Sequence, residues 1–311
     1  MTWQKALAAT AMSALVAGLP AMTANAASPI APYGAIRAEW LAKGGATGFL
    51  GAPTGNEYSL PGLPGVQVEE FVGGQIYWSL ATGAHEIHGA IEVEYIGIVH
   101  GPQSYGLPTT DETTTPDGVG RFNHFSGGES IYWTPADGAH AVYGAIRANW
   151  AATGWERGPL GYPTQDEFTD TQGAGERLQT FDHGQMFWSP STGAHEVHGA
   201  ILTEYLASTG GPYSYGLPLT DETTTPDKVG RFNHFQGGSI YWTPATGAHE
   251  VHGAIRGAWA ATGWETGKLG YPVTDEHDLV GSGGGGGRQS DFQHGYINWV
   301  NGEITVHVFG S

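Results

Sequence analysis

The sequence predicts a mainly β fold with short helices, an α+β repeat in which five units close into a propeller-like ring with pseudo-five-fold symmetry. Three observations carry that expectation. The tripeptide Gly-Ala-Ile recurs from Gly34, Gly89, Gly144, Gly199 and Gly253, at spacings of 55, 55, 55 and 54 residues, and a fixed period is the mark of a repeat architecture. A block reading GGSIYWTPATGAHEVHGAIRGAW from Gly237 returns from Gly73, Gly127 and His183, with a worn copy from His294. The 311 residues include 51 glycines and are 12% aromatic but only 14% charged. That mixture is too aromatic for a disordered chain and too rich in glycine for a helical solenoid. Closure is preferred to an open array because neither terminus supplies a polar cap and a ring leaves no exposed edge.

The chain begins with Lys5, an apolar run from Ala6 to Met22, and Ala24-Asn25-Ala26. This is the pattern of a signal peptide over residues 1–26, too short for a comfortable membrane span. Residues 27–33 form a proline-containing lead-in. The rest, 34–311, reads as one domain of five repeats: 34–88, 89–143, 144–198, 199–252 and 253–311. The copies alternate. The second and fourth share YGLP, TDETTTPD and VGRFNHF, whereas the third and fifth share LGYP and a glycine-rich insert, so a pair of units was duplicated.

Each unit opens with a short helix. Ile146 and Trp150, or Ile255 and Trp259, lie at i and i+4 on one face, and Gly154 or Gly263 provides a left-handed stop. One or two turns cannot stand alone, so each helix must dock on a neighbour. A tetrapeptide follows: Leu50-Gly51-Ala52-Pro53, Tyr105-Gly106-Leu107-Pro108, Leu160-Gly161-Tyr162-Pro163, Tyr215-Gly216-Leu217-Pro218 and Leu269-Gly270-Tyr271-Pro272. Four residues after each proline stands a glutamate: Glu57, Glu112, Glu167, Glu222 and Glu276. Beyond a variable loop comes Arg-x-x-x-Phe, at Arg121/Phe125, Arg177/Phe181, Arg231/Phe235 and Arg288/Phe292, with Gln67 and Phe71 in the first unit. This segment is read as a strand, Ile-Tyr-Trp as its hairpin partner, and Thr-Pro-x-x-Gly as a tight turn into a third strand. A three-stranded antiparallel meander per unit is the expectation.

The tetrapeptide, the glutamate, the Gly-Gly-x-Ile-Tyr-Trp hairpin and the Gly-Ala-His segment, in that order, resemble the LGFP repeat family of actinobacterial cell-wall proteins. The resemblance runs from Gly34 to the C-terminus. It departs at the third tetrapeptide position, where Ala52, Leu107, Tyr162, Leu217 and Tyr271 replace phenylalanine. It implies a five-unit ring and attachment to wall arabinogalactan, a role such repeats are thought to perform beside mycolyl transferases or hydrolases.

Several functions are disfavoured by composition. With 30 Asp+Glu against 12 Lys+Arg, no basic stripe exists to meet phosphates, so nucleic acid and anionic membranes are poor partners. No apolar stretch after the leader is long enough to span a membrane. There is no cysteine for a nucleophile or disulfide. The nearest approach to a serine nucleophile elbow, Gly281-Ser282-Gly283, has Val280 where the motif needs glycine. His195-Glu196-Val197-His198 is not a helical zinc motif; on a strand, residues three apart point to opposite faces. No cofactor or metal is expected.

The repeated Asp-Glu pairs occur in too many near-equal copies for one glycosidase site, which needs two unequal carboxylates across a single bond. The glutamates are read as structural, accepting backbone N–H groups or pairing with the recurring arginine. In Ile-Tyr-Trp, alternation puts isoleucine and tryptophan on one face, read as core, and the intervening ring on the other, read as more exposed. Flat rings beside polar groups suit sugars. The candidate sugar contacts are therefore Tyr77, Tyr132, Phe187 and Tyr241, the aspartates Asp111, Asp166, Asp221 and Asp275, and the histidines His85, His140, His195 and His249. The reading is a secreted, cell-wall-associated, lectin-like monomer that binds wall polysaccharide without catalysis. A wall hydrolase or esterase with one central site, and an envelope protein that binds other proteins, are the alternatives.

Overall fold

In a computed structural model, residues 31–98, 101–169, 176–207, 215–279 and 286–310 are described. The expected signal peptide, residues 1–26, and the Val280–Gly283 segment lie outside them. Among the described residues no helix is long and apolar enough to cross a membrane.

The repeat pattern becomes five four-stranded antiparallel sheets, each a meander in sequence order. The first is built from Tyr58–Ser59, Gln67–Phe71, Gly74–Ser79 and Gly83–His88. The expected three-stranded meander gains one strand. Its two residues follow the conserved-spacing glutamate and pair with the start of the next strand, as Thr113↔Phe122 and Thr114↔Arg121 do in the second unit. The variable loop is the turn that allows this. Thr115 Oγ1 lies 2.7 Å from Asp117 Oδ1 and 3.0 Å from Gly120 O, which share its one proton, and accepts from Gly120 N, closing the loop on itself.

The Gly-Ala-Ile tripeptides start helices at Gly34–Ala42, Gly89–Val93, Gly144–Ala152, Gly199–Ala207 and Gly253–Ala261. Each opening glycine holds φ between 53° and 57°, a region closed to most side chains, so the chain can leave the fourth strand and coil at once. Gly154 and Gly263 end their helices at φ 108° and 99°, as the sequence predicts.

Every helix after the first lies between two sheets. Ile146 and Trp150, for example, pack against Tyr132 and Val142 of the preceding sheet and against Phe181 and Met186 of their own. The same arrangement joins Val197, Ile201, Tyr205 and Ile240 between units three and four. Both faces of a sheet are thus covered, its own helix on one side and the next unit's helix on the other. This overturns the expected exposure of the ring between isoleucine and tryptophan. Tyr77, Tyr132, Phe187 and Tyr241 are 4%, 3%, 2% and 3% exposed. Alternation still holds, since Ile131 and Tyr132 enter successive cores. The second face simply meets protein instead of water. The tryptophans read as core, Trp78, Trp133, Trp188, Trp242 and Trp299, are only half-buried.

The tetrapeptide tyrosines explain the alternation of copies. Tyr162 Oη donates to Asp117 Oδ1 at 2.7 Å in the loop of unit two, and Tyr271 Oη donates to Asp227 Oδ1 at 2.7 Å in unit four. The aspartate loops of units two and four and the tyrosines of units three and five are two halves of one clamp.

Candidate functional site

Strand register brings the half-buried tryptophans beside the arginines. Arg121 pairs across the ladder with Trp133, Arg177 with Trp188, Arg231 with Trp242 and Arg288 with Trp299; in the first unit Gln67 pairs with Trp78. Directly opposed residues of an antiparallel pair share a face. The helix covers the isoleucine of that face, but its N-terminus stops short of the tryptophan. A cleft is left between helix start, arginine and indole.

Four of these clefts are well-formed cavities. The largest, about 460 Å³, lies among Phe49, His88, the helix start at Gly89, Glu112, Arg121 and Trp133. Cavities of about 270, 220 and 260 Å³ occupy the same place in units one, three and five, against Trp78, Trp188 and Trp299. Unit four supplies the same side chains: His198, Glu222, Arg231 and Trp242.

In units two to five the polar wall of the cleft is an ion pair. Arg121 pairs with Glu112, Arg177 with Glu167 and Arg231 with Glu222 through Nε and Oε1. In unit five Arg288 Nε stands 2.9 Å from Glu276 Oε1 and its Nη2 donates to Glu276 O at 2.8 Å. The glutamates thus take the arginine partner expected of them. Their carboxylates are buried, and burial pushes Glu112, Glu167 and Glu222 up from the ordinary carboxylate value against the arginine's pull.

A histidine or tyrosine just before each helix completes the wall. His252 Nδ1 lies 2.7 Å from Glu250 Oε2 and its Nε2 lies 3.4 Å from Glu276 Oε1. His198 bridges Glu196 and Glu222 in the same way. The hydrogen bond from Glu250 raises the affinity of His252 for its proton. For His88 and His198 burial opposes protonation, but the carboxylates outweigh it and the shift is upward. In unit three Tyr143 takes the position, with the Arg177 guanidinium 5.1 Å above its ring.

The predicted aspartates and histidines come together, but elsewhere. His85 pairs with Asp111 at 2.9 Å, His140 with Asp166 at 3.2 Å, His195 with Asp221 at 3.1 Å and His249 with Asp275 at 3.0 Å. Each pair joins the fourth strand of one unit to the loop of the next. The second ring nitrogen lies against the carbonyl of Thr82, Asp137, Thr192 or Thr246. In the last three pairs the aspartate also accepts the N–H of Ala141, Glu196 or Glu250. With both ring nitrogens engaged, these pairs act as fasteners of the seam. His195 and His198 face different partners, as strand geometry requires. Among the described residues no group of three or more His, Asp or Glu side chains is placed to hold a metal ion.

The cleft residues that sequence reasoning missed are the tryptophans and the residues preceding each helix. The signal was present in the hairpin count. Phe71 pairs with Gly74 across a two-residue turn, so counting back four residues from the phenylalanine places Gln67, or arginine in the other units, opposite tryptophan.

No curated protein matches the chain. The LGFP repeat matches it at residues 50–97, 106–158, 160–211, 216–267 and 269–310. Each match begins at or within a tetrapeptide, and the first four end beyond the following helix while the fifth ends just after its last strand, so the family's unit is a sheet together with, in all but the last, the helix packed on its far face. With five matches along most of its length, the chain belongs to the LGFP repeat family.

Proposed function

We propose that the protein is a secreted, non-catalytic component of the cell wall whose repeated clefts hold envelope polysaccharide of the arabinogalactan type. The observation that carries this reading is the recurrence of one cleft: an indole face, an arginine–glutamate pair and a helix start, repeated along the array. A half-exposed indole offers a flat apolar surface to the C–H face of a sugar ring. The arginine and glutamate beside it offer donors and acceptors to hydroxyl groups. Weak sites repeated on one rigid body add through avidity when a polymer spans several of them. Near-equal copies also suit holding better than turnover, because acid/base catalysis needs two carboxylates with different environments at one bond.

In this reading residues 1–26 direct export and the mature chain acts as a monomer. The five sheets close into a ring, the first unit's sheet meeting the fifth. A spin-label distance between the first and fifth units tests closure: a short distance supports the ring, and a distance spanning the full array contradicts it. For binding, the mature protein is mixed with insoluble cell wall. Retention that soluble wall oligosaccharide competes away is expected, and no retention at any salt concentration overturns the reading.

A further inference from the structure

The first unit's cleft breaks the pattern in charge. Where the other units place arginine, it has Gln67, whose amide donates to Ser59 Oγ at 2.9 Å. Among the described residues Glu57 therefore has no cation. It is held by Tyr33, through backbone and side chain, and its Oε2 is buried without a hydrogen-bond partner. Trp78 still forms the apolar wall and the cavity remains, at about 270 Å³.

A second observation stands two residues along the same strand face. Glu69 is 0% exposed, and neither of its carboxylate oxygens has a hydrogen-bond partner. In units two, three and four this position is Asn123, Gln179 and Asn233. There the side-chain amide donates to two backbone carbonyls, one of them in the preceding unit, as Asn123 Nδ2 does to Glu86 O and Thr110 O. The first unit thus presents a buried acceptor where its siblings present a donor. Burial and the neighbouring Glu57 and Glu70 carboxylates push Glu69 up to about 7. Glu57 lines this partly closed, aromatic-walled cleft without a cation, and the fully buried Glu69 nearby, outside the lining, adds a second negative charge. The cleft calls for a ligand that brings both positive charge and N–H groups.

We propose that the first-unit cleft takes a sugar carrying a primary ammonium group, stacked on Trp78 with Glu57 as its counter-ion, while the arginine-bearing clefts take neutral sugars. This rests on the reading of the tryptophan clefts as sugar sites. The ammonium occupies the place of the missing guanidinium: it donates to the Glu57 carboxylate, and its charge offsets the nearby buried Glu69 only through space. A neutral sugar leaves Glu57 without a cation.

The test titrates the full mature chain, at about pH 7, below the ordinary value of a free amine, with glucosamine and separately with N-acetylglucosamine. The two share a ring and differ in the charge at one nitrogen. The indole N–H resonance of Trp78 reports the first cleft, and those of Trp133, Trp188 and Trp299 report the others and the integrity of the fold. Glucosamine is expected to bind at Trp78 about tenfold more tightly than its acetylated form. Gln67→Arg, which restores the arginine of the other units, and Glu57→Gln should each remove the difference. Equal affinities at Trp78, a preference that survives Gln67→Arg, or no response there to either sugar overturns the proposal. Retention of the same preparations on insoluble wall separates the failures. Retained protein means that only the ammonium assignment is wrong; unretained protein means that the sugar-binding reading falls with it.

Discussion

Replacing Tyr241 with alanine separates the two roles that strand alternation assigns to neighbouring rings. Tyr241 is 3% exposed and sits among Phe232, Trp259 and Trp264, with ring centroids at 4.9, 4.7 and 6.2 Å. Tyr241→Ala empties the middle of the core between units four and five. Truncating a large buried aromatic costs about 3–5 kcal/mol, and the loss of two close ring pairs places this site in the upper part of that range. Trp242, one residue on, is half-exposed at its cleft. Trp242→Ala should cost about 1–2 kcal/mol, in proportion to the apolar area it hides. Urea unfolding followed by circular dichroism measures both, with the slope checked for departure from a single transition. In a repeat array the damage is local, so Tyr241→Ala should also broaden the curve as the fourth seam opens first. A cost below about 1 kcal/mol for Tyr241→Ala, or a larger cost for Trp242→Ala, would refute the placement of the tyrosine in the core.

Two further outcomes follow from the polar contacts. Arg177→Met leaves the buried Glu167 carboxylate without its cation and should cost about 2–3 kcal/mol; adding Glu167→Gln in the same chain should recover most of it in a thermal melt, and no recovery would mean that the arginine acts only through packing. The seam histidines make stability depend on pH. His85, His88, His140, His195, His198, His249 and His252 all hold their protons more tightly than the ordinary value of 6.5. A folded value above the unfolded one gives stability that is complete below 6.5 and is lost as pH rises through the raised values. His124 and His234 oppose this: burial and the adjacent Arg147 or Arg256 hold them down to about 4, so their contribution is lost as pH falls from 6.5 toward 4. The melting temperature should therefore fall as pH rises above 6.5 and fall again as pH drops toward about 4. His249→Asn should flatten the alkaline limb, and a melting temperature that climbs as pH rises above 6.5 would contradict the fastening role.

Local periodicity made the units, the helix starts and the hairpins legible, because each depends on residues close in sequence. Gly144 and Gly154 bracket a helix through backbone conformations open mainly to glycine, and that is visible in the chain itself. The two-residue first strands escaped notice. A strand of that length carries no alternation and is held by the loop that Thr115 closes. The burial of Tyr132 depends on a helix from the next unit, so a rule that assigns one wet face to a strand pair fails in a stack of sheets. The pairing of His195 with Asp221, 26 residues apart, joins two units and leaves no local mark. Both residue types were recognised as a polar group near the rings, but only the stacking of units decides that they hold a seam and that Trp188 and Arg177 face the cleft.

The central claim is that the strand tryptophans, and not the tyrosines beside them, meet the ligand. The most direct measurement follows indole N–H resonances while a wall oligosaccharide is titrated into the intact mature protein. Trp150 and Trp259 are 0% exposed and donate through Nε1 to Gly161 O and Gly270 O, which makes them internal controls. The proposed role of the clefts predicts that the signals of Trp133, Trp188, Trp242 and Trp299 move together to saturation while Trp150 and Trp259 stay fixed. Saturable binding that leaves those four signals in place would contradict it.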